Sequence, residues 1–112
     1  MKRGEVWWAS LPEPAGSEPG YRRPVVIVQA NEFNLSRIRT VVAATVSSNT
    51  DLGAAPGNVT LSKRSVGLGC ESVVNVSQII MLDKGFLTEK VGRLSGTKLR
   101  EVDEGLRLVL AL

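Results

Sequence analysis

The apolar and polar positions along the chain fall into a series of short β-type runs followed by one helical stretch. Glu5-Val6-Trp7-Trp8-Ala9-Ser10-Leu11 is rich in strand formers and stops at residues 12–20, where three prolines and two glycines exclude helix and central strand alike. From Arg23-Pro24 the run Val25-Val26-Ile27-Val28 reads as a buried strand, followed by a polar stretch from Asn31 to Arg39 with room for one helical turn. Thr40 to Val46 is a second β-branched run, closed by Ser47-Ser48-Asn49-Thr50, and Asp51 to Gly57 reads as loop. Asn58-Val59-Thr60-Leu61 alternates, as does part of Ser72 to Leu82, and a short strand around Lys90 to Leu94 completes the sheet. The period then changes: Leu99, Val102, Leu106, Val109 and Leu110 share a helical face, with Ser95 or Thr97 as N-cap. Gly105 and Leu108 fall on the opposite side, so Leu108 marks either a frayed end or a second contact surface. The pattern predicts a mainly β fold with α: five to seven antiparallel strands in a small, strongly bent sheet or barrel, with a C-terminal helix against it.

Composition narrows the picture. A chain of 112 residues supports one core, so residues 1–112 are read as a single domain, and 43% hydrophobic with 22% charged residues is a globular balance. Neither a membrane-spanning run nor the apolar core of a signal peptide is present, which makes the cytoplasm the expected compartment. Cys70 is the only cysteine and histidine is absent, so imidazole chemistry is excluded, and neither a disulfide nor a zinc site is expected; Cys70 is assigned no catalytic role. The net charge of +3 is unevenly placed: residues 1–70 hold eight Lys/Arg against five Asp/Glu, whereas residues 71–112 hold six of each. Nine arginines against five lysines suit forked contacts to phosphate.

Chemistry concentrates at the junction Glu18-Pro19-Gly20-Tyr21-Arg22-Arg23-Pro24, where two guanidiniums, a carboxylate and an aromatic ring sit close together. Pro24 disfavours helical angles at Arg23 and sets it at the mouth of a strand, the place where sites on small barrels gather. Tyr21 suits stacking on an unpaired base, and Asn75 and Gln78 suit reading of base edges; loop packing and bonds between neighbouring strands are the competing roles. Trp7 and Trp8 are adjacent and point to opposite sides of their strand. Arg37 and Arg39 are surface charges with a possible phosphate role.

The order and spacing of several blocks resemble the MazF/PemK family of toxins. They are Lys2-Arg3-Gly4-Glu5-Val6-Trp7, Gly16-Ser17-Glu18, Arg22-Arg23-Pro24-Val25-Val26-Ile27-Val28, Val46-Ser47-Ser48-Asn49, Pro56-Gly57-Asn58-Val59, Glu71 to Ile79, and Gly92-Arg93-Leu94-Ser95. The resemblance implies an SH3-like barrel with a C-terminal helix, a homodimer, a cognate antitoxin, and cleavage of single-stranded RNA without metal or other cofactor. It singles out Arg23 as catalytic and puts Ser47 where the family carries threonine. Serine keeps the hydroxyl donor but lacks the methyl that restricts its rotamer. Glu18 matches an acidic loop residue of some relatives, and Arg22, Ser48 and Asn49 join Tyr21, Asn75 and Gln78 as expected RNA contacts.

RNA carries its own nucleophile, the 2′-hydroxyl. Arg23 and Ser47 suit the donors that a phosphorane needs, while an arginine does not serve as a base, which leaves Glu18 as the candidate. Two other readings compete: a non-catalytic SH3-like module that binds RNA or protein, and a gyrase poison resembling the CcdB toxins. The latter end in a Trp-containing tail, whereas both tryptophans here stand near the N-terminus.

Overall fold

The Val-, Ile- and Thr-rich runs become strands because branched side chains pack well on a pleated surface that is covered on both sides. In the computed structural model, which describes residues 1–12, 16 and 21–112, they form one antiparallel sheet. Its strands are β1 (Glu5–Leu11), β2 (Tyr21–Ile27), β3 (Thr40–Ser47), β4 (Val59–Leu61), β5 (Ser72–Asp83) and β6 (Leu87–Arg93), in the spatial order β4-β5-β3-β2-β1-β6. A one-turn helix α1 (Asn31–Asn34) lies between β2 and β3, and the helix α2 (Gly96–Leu110) ends the chain. Two strands begin earlier than the local pattern indicates. Tyr21 and Arg22 join β2 because Leu11 and Ser10 pair with them, and β6 starts at Leu87 because Ala9 does the same there. The stretch read as loop after β3 contains a 3-10 turn, Thr50–Ala54, capped by the Asn49 side chain.

Alternation along the central strands supplies two cores. Val6, Val26, Ala44, Val46, Val74 and Val76 pack with Val102 of α2, whereas Val25, Ile27, Val41 and Ala43 fill the opposite side with Ala9, Leu82 and the half-buried Trp7. The sheet curls into a half-barrel, and a loop rather than a strand pair bridges its ends. Val66, from the segment between β4 and β5, reaches β6 and lies so close to Gly92 that a Cβ there would stand 2.6 Å from the Val66 carbonyl oxygen.

Helix α2 starts at Ser95, whose Oγ accepts from the Lys98 N–H at 3.2 Å, which settles the N-cap in its favour. It stops at Ala111, in the left-handed conformation, where Leu112 N–H bonds back to the Arg107 carbonyl at 2.9 Å. Its buried face differs from the face that periodicity indicates. Val102 and Gly105 are buried, whereas Val109 and Leu110 are exposed. Gly105 packs against the backbone of Gly57, just before β4, and a Cβ on Gly105 would stand 2.2 Å from the Gly57 carbonyl oxygen. A residue without a side chain gives no apolar signal, so the pattern of Leu and Val shifts the apparent face by a fraction of a turn.

The N-terminal segment is locked by two charged groups. Arg3 donates from Nε to the Val28 carbonyl at 2.8 Å and from Nη2 to Asp103 of α2, which ties the end of β2 to the helix. The Glu5 carboxylate is buried and accepts from the Lys2 N–H (2.9 Å), the Trp7 indole (3.1 Å) and Lys90 Nζ (2.9 Å). Burial alone pushes its pKa up, but the hydrogen bonds from Lys90, Lys2 and Trp7, with the Lys90 charge, outweigh it and bring the value from 4.5 to about 2.

Two predictions follow from these contacts. Replacing glycine by alanine stabilises an exposed helix by about 1 kcal/mol, but Gly105→Ala drives a methyl into backbone. Urea denaturation is expected to show a loss of about 1–3 kcal/mol or more instead, with an unchanged m-value. Because the Glu5 pKa is depressed in the folded state, its contribution is full above pH 4.5 and fades as the pH falls towards 2. Glu5→Gln is expected to cost on the order of 3 kcal/mol at neutral pH and to flatten the acid-side decline of thermal stability between those limits.

Candidate active site

The ladder between β2 and β3 is short. Ile27 faces Ala43, Val26 faces Ala44 and Val25 faces Thr45, and there the pairing stops. Pro24 comes next on β2, and a proline has no N–H to give. Carried on by two residues, the same register sets Arg23 opposite Ser47, but without a ladder the strands part and a cleft of about 450 Å³ opens between them. Trp8, Pro24 and Val46 form its apolar lining, and Arg22 and Arg23 bring charge from β2. Ser47, Ser48 and Asn49 supply hydroxyl and amide groups from the end of β3, while Leu68 and Cys70, from the segment before β5, and Ser72, its first residue, close it.

Each polar side chain is held by its local structure. Arg23 is half-buried on β2, level with Ala9 of β1. Ser47 Oγ accepts from the Asn49 N–H at 3.1 Å, and its own hydroxyl proton has no protein acceptor among the described residues. Asn49 Oδ1 accepts from the Asp51 N–H at 3.2 Å, which fixes the 3-10 turn that follows. Tyr21 opens β2 with φ at 61° and its ring exposed, a conformation that costs a non-glycine residue roughly 1–2 kcal/mol. Arg22 lies with its guanidinium carbon 4.3 Å from the Trp8 ring centroid and donates to Glu89 Oε2 at 3.3 Å.

Of the residues expected from the sequence, the cleft brings together Arg23, Ser47, Tyr21, Arg22, Ser48 and Asn49. Glu18 lies outside the described residues. Asn75 and Gln78 do not line the cleft, for a reason of register. Ala44 pairs with Ile79 but Thr45 with Asn75, so β5 carries Val76, Ser77 and Gln78 in an irregularity between them. Gln78 Oε1 accepts from Thr45 Oγ1 at 3.0 Å and Asn75 Oδ1 from Ser77 Oγ at 2.8 Å, bonds that hold the bend. Cys70, to which the sequence assigns no catalytic role, stands exposed at the cleft rim with its sulfur 3.8 Å from Ser72 Oγ. Trp8, Leu68, Cys70 and Ser72 are not legible as site residues, because only contacts between distant segments carry them there. Among the described residues no three His, Cys, Asp or Glu side chains converge as a metal-binding group, and no helix is long and apolar enough to cross a membrane.

Comparison with known proteins agrees with this architecture. Residues 2–110 match the family model of the PemK-like, MazF-like toxin of type II toxin–antitoxin systems. The endoribonuclease MazF6 of Mycobacterium tuberculosis is 47% identical over 112 residues, which cover 100% of this chain and 98% of that protein. Among solved structures, MazF of Deinococcus radiodurans superposes with a TM-score of 0.83 at 26% identity, covering 100% of this chain and 97% of the other. A mycobacterial endoribonuclease in complex with its cognate antitoxin shares the fold, with a TM-score of 0.79 at 21% identity, covering 100% of this chain and 96% of that one. The half-barrel with its C-terminal helix is thus the fold of these toxins, and the chain belongs to the family of PemK-like, MazF-like toxins of type II toxin–antitoxin systems.

Proposed function

We propose that this toxin is an endoribonuclease that cuts single-stranded RNA at short sequences, without a metal ion, in the cleft between β2 and β3. The observation that carries this reading is the parting of the strands at Pro24, which leaves Arg23 and Ser47 on facing lips of one cavity. The RNA 2′-oxygen attacks the adjacent phosphorus and its proton passes to Glu18. The P–O5′ bond breaks and the departing oxygen takes up a proton from solvent water, which leaves a 2′,3′-cyclic phosphate and a 5′-hydroxyl. The Arg23 guanidinium donates two hydrogen bonds to the non-bridging oxygens as negative charge builds, and the Ser47 hydroxyl donates a third. Tyr21, Arg22, Ser48 and Asn49 hold the flanking nucleotides.

The partners are a cognate antitoxin, as in the mycobacterial relative solved with one, and a second copy of this chain in a homodimer. Leu108, Val109, Leu110 and Leu112 are exposed at the end of α2 and suit a protein contact, in keeping with the position of Leu108 off the core-facing side. The site of action is the cytoplasm, where RNA and antitoxin meet.

Purified, antitoxin-free protein incubated with single-stranded RNA in EDTA is expected to cleave it, with mass spectrometry finding the cyclic phosphate. Arg23→Ala is expected to lower the rate about 10²–10³-fold with the fold retained by circular dichroism, Ser47→Ala by a smaller factor, and Ser47→Thr hardly at all. Full activity of Arg23→Ala, or strict dependence on a divalent cation, refutes the mechanism. Light scattering at micromolar concentration is expected to give the mass of two chains, and a monomer there contradicts the homodimer.

A further inference from the structure

Arg22 reaches across a whole strand. It sits on β2 opposite Ser10, while Trp8 of β1 stands between Pro24 of β2 and Glu89 of β6 in the ladder. Opposed residues share a face and alternate residues return to it, so Arg22, Trp8 and Glu89 lie on one side of three adjacent strands. The Arg22 side chain passes over the indole, 4.3 Å from the ring centroid, and ends on Glu89 at 3.3 Å. The guanidinium is therefore fixed from below by the ring and from one edge by the carboxylate. Both Arg22 and Trp8 contribute surface to the cleft.

The fold gains little from this arrangement. The carboxylate and guanidinium side chains are 67% and 53% exposed, an ion pair of the kind that contributes about 0.2–1 kcal/mol. A cation over an exposed ring adds about as much. Nor does the arrangement suit capture of a phosphate, since Glu89 already holds the cation and brings a negative charge beside the place a phosphate would take. What it does supply is a flat, weakly hydrated guanidinium, held over an aromatic ring at the mouth of the cleft. Unpaired bases stack on such surfaces.

We propose that the Arg22–Trp8 stack is a nucleobase subsite, in which the face of Arg22 turned away from the indole receives the base of a nucleotide beside the scissile phosphate, and Trp8 acts as the positioning residue that holds it flat. This rests on the reading of the cleft as the RNA-cleaving site. Arg23 and Arg22, consecutive on a strand, then divide the work, one on the phosphate and the other on a neighbouring base. A stacked base is held largely before chemistry begins, so the subsite acts on KM and leaves kcat nearly unchanged.

The test uses a single-stranded oligoribonucleotide built on a sequence that the wild-type protein cuts, with an abasic residue placed at each position in turn. One abasic position is expected to raise the wild-type KM about tenfold, within the range of base-stacking effects. Arg22→Ala, Arg22→Lys and Trp8→Leu are each expected to raise KM for the intact RNA similarly and to be insensitive to that abasic position, whereas Trp8→Phe keeps most of the affinity. Lysine retains the charge but not the plane, so an Arg22→Lys protein that binds as wild type overturns the proposal in favour of simple charge. An abasic penalty that persists in Arg22→Ala overturns it too. The exposed Arg22 variants decide the matter if Trp8→Leu fails to fold. Full cleavage by Arg23→Ala breaks the reading of the cleft, whereas inactive Arg23→Ala beside unaltered Arg22 variants breaks only the subsite.

Discussion

A proline in an interior strand leaves a carbonyl-only position in a ladder that needs donors, and the sheet must accommodate it at an end or a gap. Pro24 is accommodated by a gap. β2 stays paired to β1 from Val26 back to Tyr21, but its pairing to β3 ends at Val25. From that local deficit the cleft follows: the strand ends separate, the apolar faces of Trp8, Pro24 and Val46 become its lining, and the hydrophilic ends of β2 and β3 stand at its edge. Because β1 holds β2 up to Tyr21, the lip that carries Arg22 and Arg23 is a strand and not a free loop. Donors that must meet a short-lived charge are best placed on such rigid elements.

The opposite lip and the far wall depend on how the half-barrel is held together. Val66 carries the segment after β4 onto β6 at Gly92, and the same segment brings Leu68 and Cys70 to the cleft, beside Ser72 at the start of β5. Under the sheet, α2 lies against β4 and β5 by way of the Gly57–Gly105 contact, which allows two backbones to touch where any side chain would separate them. Asn58 works beside it, accepting from the Val76 N–H at 3.0 Å and donating to the Leu52 carbonyl at 2.9 Å. That pair of bonds joins the irregularity of β5 to the 3-10 turn after Asn49, so the position of the cleft's hydroxyl groups is coupled to the packing of the helix some distance away.

What the sequence made legible is what local chemistry determines. The branched runs mark the strands, Ser95 and Thr97 bracket the helix start, and Arg23-Pro24 marks extended backbone at the charged junction, although β2 itself begins earlier, at Tyr21. Three features were out of reach because they arise from contacts between distant segments. Gly105 carries no apolar signal although it makes the closest contact of α2. Asn75 and Gln78 alternate with apolar neighbours as surface residues do, yet the shift between Ala44 and Thr45 turns them to the bend of the sheet. The union of Arg22, Trp8 and Glu89 needs three strands side by side, and Glu89 is 67 residues from Arg22 in the chain. The tryptophan pair was legible in part: Trp7 packs on one core and Trp8 lines the cleft, as adjacent residues of a strand must.

Ser47 brings these threads to one atom. A threonine's methyl limits its χ1 rotamers, and a serine in its place is freer to turn its hydroxyl away from a substrate. Here the Asn49 N–H holds Ser47 Oγ as an acceptor, and Asn49 is itself fixed by its bond to the Asp51 N–H. The bond occupies a lone pair and leaves the hydroxyl proton to donate. A backbone turn thus supplies the restraint that the missing methyl does not. In the proposed reaction that proton is the one Ser47 gives to the phosphorane, so the turn after β3 also prepares the donor facing Arg23.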